Sequence, residues 1–455
     1  EPSKTFKGLT ILKKVLLLEA SQEKSQFIFN EVNLLYNICE KYPEEFKYEC
    51  LVCLTCIEYI NIKLNKKILN LPNEAIIKII LNILDNPDKF NDSILVIVLD
   101  YINILLENED FIEKIGVKEL ILKLKKLLEK EKYINNIYNL ERIINILYKV
   151  TNEKYYMYCL MDIENIILEL IPIIVNIINK YEFNQDLIVD SLKLIYNISY
   201  IYDCNDKFST IKKNILNKLI ELNVLPKIIS YLDELNKIIV QNLIIFSLKI
   251  LSIFVAMEDE YYTDKIIELN IFDKLKIFVQ KQYPFTIRNE SLLIISNIAS
   301  SSDKQRVKLF DNNFHNILFD IINNEDEERI KVESLWTLYN FTIMKNLNYL
   351  KILLEKGLLD IIINRFKKDK GDILNCSLEA LDTILDKGKN EDSLIYNIVH
   401  NKIIELNIVK KLNDLWYNNI ENLTKLIIVN IIINNFHKEY LDDFVDTDYE
   451  SDKSE

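Results

Sequence analysis

The sequence predicts an all-α fold of stacked helical repeats, about ten of them wound into a right-handed superhelix. Three observations carry this. Only 5 Gly and 7 Pro punctuate 455 residues, of which 49% are hydrophobic. A strand-rich or βαβ chain needs far more turn residues for its connections. A short phrase, apolar–Gly/Asn–apolar, recurs along the chain, and a long apolar helix ending in a polar residue lies about 16 residues before it.

The phrase is read at Ile115-Gly116-Val117, Leu222-Asn223-Val224, Leu269-Asn270-Ile271, Asn312-Asn313-Phe314, Lys356-Gly357-Leu358 and Leu406-Asn407-Ile408, with Asn165-Ile166 as a weaker member. Successive members are 43–58 residues apart. Gly and Asn tolerate best the left-handed conformation that closes one helix and starts the next. The preceding helices include Glu290–Ala299 and Glu333–Thr342. Two to three helices in each 43–50-residue unit is the HEAT/armadillo pattern, in which a unit buries its apolar face only against its neighbours.

Along the chain, residues 1–45 are expected to be an N-terminal helical cap, with a helix over Phe27–Leu35, and residues 46–440 the solenoid. Residues 441–455 have the composition of a disordered acidic tail. Ile201–Asn214 and Lys387–Ser393 lengthen the spacing and are expected to be connections.

Composition also bounds function. The net charge of −13 argues against a phosphate-binding surface, so no nucleic-acid partner is expected. Neither G-x-G-x-x-G nor G-x-x-x-x-G-K-[ST] occurs. No apolar run approaches about 18 residues, and Val15–Leu18 is too short for a signal peptide, so an intracellular chain without membrane spans is expected. Cys50, Cys53 and Cys56 lie at helical spacing without a Gly or Pro to form a cluster loop, and read as buried packing rather than metal ligands. His315, His400 and His437 are too dispersed for a metal signature and are read as helix-surface or turn residues. No catalytic constellation and no cofactor site are visible, and an enzyme is not expected.

At Ser334-Leu-Trp-Thr-Leu-Tyr-Asn340 the sequence resembles the armadillo repeats of the importin-α (karyopherin-α) family. There a Trp and an Asn, four apart on the third helix of each repeat, line a concave peptide groove. Arg288–Ser301 resembles the family's seventh repeat, the segment with Trp336 and Asn340 its eighth, and Leu378–Glu421 its last two. The resemblance extends from about residue 45 to the C-terminus. It implies a non-enzymatic import adaptor of cytoplasm and nucleus that binds basic nuclear localisation signals. It also implies partnership with importin-β, through a basic segment absent from this sequence, and with an export receptor at the C-terminal repeats.

Asn suits this role because it both donates to and accepts from an extended backbone, while indoles hold lysine stems. Laid along this chain, the Trp/Asn positions become Val52/Cys56, Val96/Asp100, Asn145/Lys149, Lys193/Asn197, Lys249/Ile253, Leu293/Asn297, Trp336/Asn340 and Glu379/Thr383. One full pair survives. The candidate peptide-binding residues are therefore Trp336, Asn340, Asn297, Lys249 and Asn197, weighted to the C-terminal half. The alternative is an armadillo scaffold or chaperone that uses the groove for other partners. Acidic rims beside Trp336 would favour the adaptor, and lysine-lined walls the scaffold.

Overall fold

The computed structural model describes residues 74–436 apart from 91, 108, 202–205, 234–240, 369, 390–392 and 418–419. The expected N-terminal cap, the Cys50–Cys53–Cys56 triplet, His437 and the acidic tail lie outside the described residues. Within them the chain is an all-α solenoid of armadillo type, as the turn pattern predicts.

Chain contacts divide it into two units, residues 1–250 and 251–455, with the division inside one helix. The first unit contains α1 (Glu74–Asp85), α2 (Asp92–Leu105), α3 (Glu109–Ile115), α4 (Val117–Leu128), a single turn α5 (Glu131–Ile134), α6 (Ile137–Val150), α7 (Glu153–Lys180), α8 (Gln185–Ser199), α9 (Asp206–Glu221), α10 (Val224–Ser230) and the start of α11 (Gln241–Val255). The second contains the rest of α11, then α12 (Glu260–Glu268), α13 (Ile271–Phe278), α14 (Phe285–Ser300), α15 (Asp303–Asp311), α16 (Phe314–Asn324), α17 (Glu328–Thr342), α18 (Leu347–Glu355), α19 (Leu358–Arg365), α20 (Gly371–Gly388), α21 (Tyr396–Glu405), α22 (Ile408–Trp416) and α23 (Asn422–Asn435).

A complete repeat is a short first helix, a left-handed residue, a second helix and a longer third helix. Gly116, Asn223, Asn270, Asn313, Gly357 and Asn407 hold φ between 49° and 89°, each immediately before the second helix of its repeat. The central Asn of each such phrase except the weaker member thus adopts the conformation for which it was singled out. Side-chain caps start several of the other helices: Asn136, Asn184, Asp259 and Asn346 accept backbone N–H groups of α6, α8, α12 and α18.

Third helices pack on one another within each unit, α2 on α6 and α6 on α8 in the first, and α14 on α17, α17 on α20 and α20 on α23 in the second. Each buries an apolar stripe, such as Leu140, Ile143, Ile144, Ile146, Leu147 and Val150 of α6. A buried Ser marks the close approach on five of them: Ser191, Ser247, Ser291, Ser334 and Ser377. Ser291, Ser334 and Ser377 return their hydroxyls to the carbonyl four residues back, at 2.8–2.9 Å.

Four expectations are corrected. Asn165 makes no turn but lies inside α7, a 28-residue helix that fuses the first and second helices of its repeat. The apolar stripe Leu160, Ile163, Ile167, Leu170, Ile171, Ile174 passes Asn165 without a change of phase, so nothing breaks the helix there. Asp206–Asn214 is helical, in α9, which shortens the expected connection after Ile201. Lys387 and Gly388 belong to α20. His315 is neither a surface nor a turn residue. It is buried in α16, stacked on Phe310 with ring centroids 4.0 Å apart.

Candidate functional site

The serine of each third helix fixes a common register. Ser-Leu occurs at 191–192, 247–248, 291–292, 334–335 and 377–378, and the next residue is Lys193, Lys249, Leu293, Trp336 or Glu379, the position expected to hold indoles. The residue before Ser lies three positions earlier on the same helix face, so the two side chains meet. Those residues are Asp190, Phe246, Glu290, Glu333 and Cys376. This Ser-Leu anchor was legible in the sequence and would have set the ladder register without any appeal to indoles.

In the first unit, the ladder is stitched shut by its own neighbours. Asp100 is held by Arg142 of the next third helix, at 2.6 and 3.3 Å. Lys149 donates to Asn103 O at 3.0 Å and to Glu107 at 2.6 Å, serving the carboxyl end of α2. Asn197, a candidate peptide clamp, donates its amide to Tyr148 O at 3.0 Å, near the end of α6.

Lys193 and Lys249 stand on a platform of rings. The Lys193 ammonium pairs with Asp190 at 2.8 Å and lies 5.6 Å from the Tyr148 ring centroid and 5.8 Å from that of Phe246. Lys249 lies 5.3 Å from Tyr196 and 5.5 Å from the same Phe246. Tyr196 packs edge-on to Phe246 and stacks on Tyr200. Among the described residues no carboxylate pairs with Lys249.

The second unit is built differently. Asn297 and Asn340 are half-buried, and neither side-chain amide has a hydrogen-bond partner among the described residues. Trp336 is half-buried on α17, one turn beyond Glu333. Burial raises the Glu333 carboxyl above its ordinary value, only partly offset by Arg329, and no cation pairs with it among the described residues. Asp190 occupies the same register position in the first unit and has Lys193 beside it, whereas Glu333 has Trp336.

Asn297 also lines a cleft of about 450 Å³ with Val255–Glu258, Glu260 and Ser300–Ser302. Here α11 and α14 end side by side, with the negative ends of both helices and two carboxylates facing the space. Arg306 takes the carbonyls of Ala299 and Ser301 from within, at 2.7 and 2.5 Å. On α20 the field has the same sign. Burial, with Glu379 and Asp372 nearby, pushes the Cys376 thiol up to about 12. Thr383 turns its hydroxyl back to Glu379 O.

Of the five candidate residues, Trp336, Asn340 and Asn297 therefore fall in the second unit on adjoining third helices, and the two Asn amides are unpaired among the described residues. Lys249 and Asn197 fall in the first, where Asn197 is spent on the fold. Two lining features went unread in the sequence: the Glu333 carboxyl and the aromatic platform beneath Lys193 and Lys249. Among the described residues no group of His, Cys, Asp and Glu could hold a metal ion. No helix among them is long and apolar enough to cross a membrane.

No protein-family model and no curated protein matches the sequence. Solved structures do. The chain is similar to an engineered protein at 11% identity, with a TM-score of 0.67 over 94% of each chain. It is also similar to a designed armadillo repeat protein in complex with the peptide (KR)4, at 17% identity and a TM-score of 0.47, over 58% of this chain and 98% of that one. A computationally designed armadillo repeat protein for modular peptide recognition is 14% identical, with a TM-score of 0.38, over 67% of this chain and 98% of that one. At 11% identity the first of these likenesses is one of fold alone.

Proposed function

We propose that this armadillo-type solenoid is a non-enzymatic adaptor whose second unit binds an extended basic peptide along α14, α17 and α20. One observation carries the reading: Asn297 and Asn340, in register on successive third helices, keep side-chain amides that have no partner among the described residues, beside a half-buried carboxyl at Glu333 that none of those residues' cations pairs. Neighbouring helices about 8–10 Å apart match about three residues of extended chain, so two amides can grip one peptide backbone at two points. A lysine stem lying on Trp336 would carry its ammonium to Glu333, supplying the cation that Asp190 already has in Lys193. The cleft around Asn297, between helix carboxyl ends and beside Glu258 and Glu260, suits a second cationic side chain.

In its finer form the proposal is a nuclear import adaptor, with basic localisation signals as cargo and importin-β and an export receptor as the partners of its transport cycle. The first unit supports the scaffold alternative for its own half, because its ladder positions are cross-linked or cationic.

The test is calorimetric titration of the full chain with a lysine-rich peptide and with its neutral counterpart, at a salt concentration that screens general attraction to the −13 chain. Binding should need the lysines. Trp336→Ala should weaken it about 2- to 30-fold, the range of one cation–π contact. Affinity unchanged in Trp336→Ala/Asn340→Ala and in Glu333→Gln would sink the proposal.

A further inference from the structure

The row that presents Trp336 and Glu333 in the second unit presents Lys193 and Lys249 in the first, and the reversal of charge has a consequence for ligand choice. Both ammonium groups flank one ring, that of Phe246, at 5.8 and 5.5 Å. Such a pair of like charges is held together by the faces of Tyr148, Tyr196 and Phe246 and by Asp190 on one side only. Elsewhere on these helices the cations are neutralised: Arg142 by Asp100 and Lys149 by Glu107. Lys249 is the exception among the described residues. Its side chain is half-buried, so its charge acts through a medium less screening than open water.

We propose that this lysine–aromatic face of α6, α8 and α11 is a second binding site, selective for an acidic extended peptide. A carboxylate of the ligand would pair with Lys249 and lie between the two ammonium groups, while its backbone or an aromatic neighbour rests on Tyr196 and Tyr200, the latter 37% exposed. The chemistry favours a peptide over a nucleic acid: one uncompensated cation matches single side-chain carboxylates, whereas a phosphate backbone needs several in a row. The site is independent of the basic-peptide site proposed above, using other helices and the opposite charge.

The experiment is fluorescence anisotropy on the full chain. The probe is a fluorescein-labelled decapeptide of Asp, Glu and Ser, and the control is the same peptide with Asn and Gln in place of the acids. Because the protein carries −13, diffuse electrostatics oppose the probe, and saturable binding must come from a local site. Wild type is expected to bind the acidic probe and not the control. Lys249→Met, which keeps the stem on its rings, should weaken binding about five- to tenfold. Lys249→Glu should abolish it, and Trp336→Ala should leave it unchanged. Absence of saturable binding to wild type overturns the proposal, as does an affinity unchanged in Lys249→Met. If Lys249→Glu loses helical circular dichroism, Lys249→Met decides. Titration of the lysine-rich peptide in parallel separates failure of this site from failure of the other.

Discussion

The Asn197 side chain donates to the backbone carbonyl of Tyr148 across 3.0 Å, tying α8 to the carboxyl end of α6. Asn297, at the same register position two repeats on, makes no such bond among the described residues. Identical residues at equivalent places thus differ: one ties two third helices together, and the other keeps its amide unpaired among the described residues.

Replacing Asn197 with Ala should consequently lower stability and leave peptide binding alone. Tyr148 O keeps the hydroxyl of Thr151 at 3.1 Å, so the loss belongs at the lower end for a hydrogen bond, about 0.5–1 kcal/mol. Urea unfolding should show it as a small drop in midpoint, whereas Asn297→Ala should weaken binding of the lysine-rich peptide with little change in midpoint. The opposite pattern would mean that the two residues have exchanged roles.

The left-handed turn residues make a second, backbone-level prediction. Asn270 has φ of 57° and Gly357 φ of 89°. Ala at Gly357 should cost about 1–2 kcal/mol, because a Cβ crowds the following carbonyl in this conformation, whereas Asn270, which already carries a Cβ, should lose less on going to Ala. At Gly357 a new Cβ would meet nothing closer than Asp360 Oδ2 at 3.6 Å, so the penalty there is conformational rather than a clash. Asn270→Gly should be tolerated. Urea midpoints for these three variants check the set, and an unaffected Gly357→Ala would contradict it.

The same residues show what a sequence can disclose. Positive φ is so restrictive that Gly116, Asn223, Asn270, Asn313, Gly357 and Asn407 were legible one by one, and with them the repeat. Asn165 misled because an Asn is tolerated inside a helix at modest cost, and only the unbroken phase of the stripe around it reveals α7. Of the candidate site, Trp336, Asn340 and Asn297 could be named from the sequence as residue types in register. What stayed hidden depends on pairings between repeats about 40–50 residues apart. Examples are Asn197 with Tyr148, Lys149 with Glu107 and Lys249 with Tyr196. Periodicity reports which face a residue takes, and not which rotamer its neighbour leaves free.

Arg288 and Glu325 form a buried ion pair in the second unit, and they make a prediction about acid. Burial alone would raise the Glu325 carboxyl, but the Arg288 guanidinium and the backbone N–H groups of Glu327 and Asp326 outweigh it and hold it below the ordinary 4.5. A carboxyl depressed in the native state contributes stability that is complete above its unfolded value and lost as pH falls through the native one. Thermal midpoints of wild type should therefore fall as pH drops below about 4.5, and Glu325→Gln should flatten that dependence. Arg288→Met leaves a buried carboxylate without its partner and should cost about 3–5 kcal/mol at neutral pH.

His315 gives a dependence in a higher pH range. Its Nδ1 lies 3.2 Å from Phe310 O, a contact that places the ring proton on Nδ1, and its face stacks on Phe310. Burial holds its pKa below the ordinary 6.5; the hydrogen bond to Phe310 opposes this, and the positive charge of Lys356 adds to it. The unfolded chain therefore takes up a proton near pH 6.5 that the native chain refuses until lower pH. The stabilising difference is fully present above 6.5 and is lost as pH falls from there toward the native value. Unfolding midpoints measured in steps between about pH 7.5 and 5 should decline for wild type before the carboxylates at or below their ordinary values titrate. His315→Gln is expected to be less stable at neutral pH, because it gives up the stack on Phe310, yet to show no decline in that window. Equal declines in the two proteins would remove His315 as the cause and place the titrating group elsewhere.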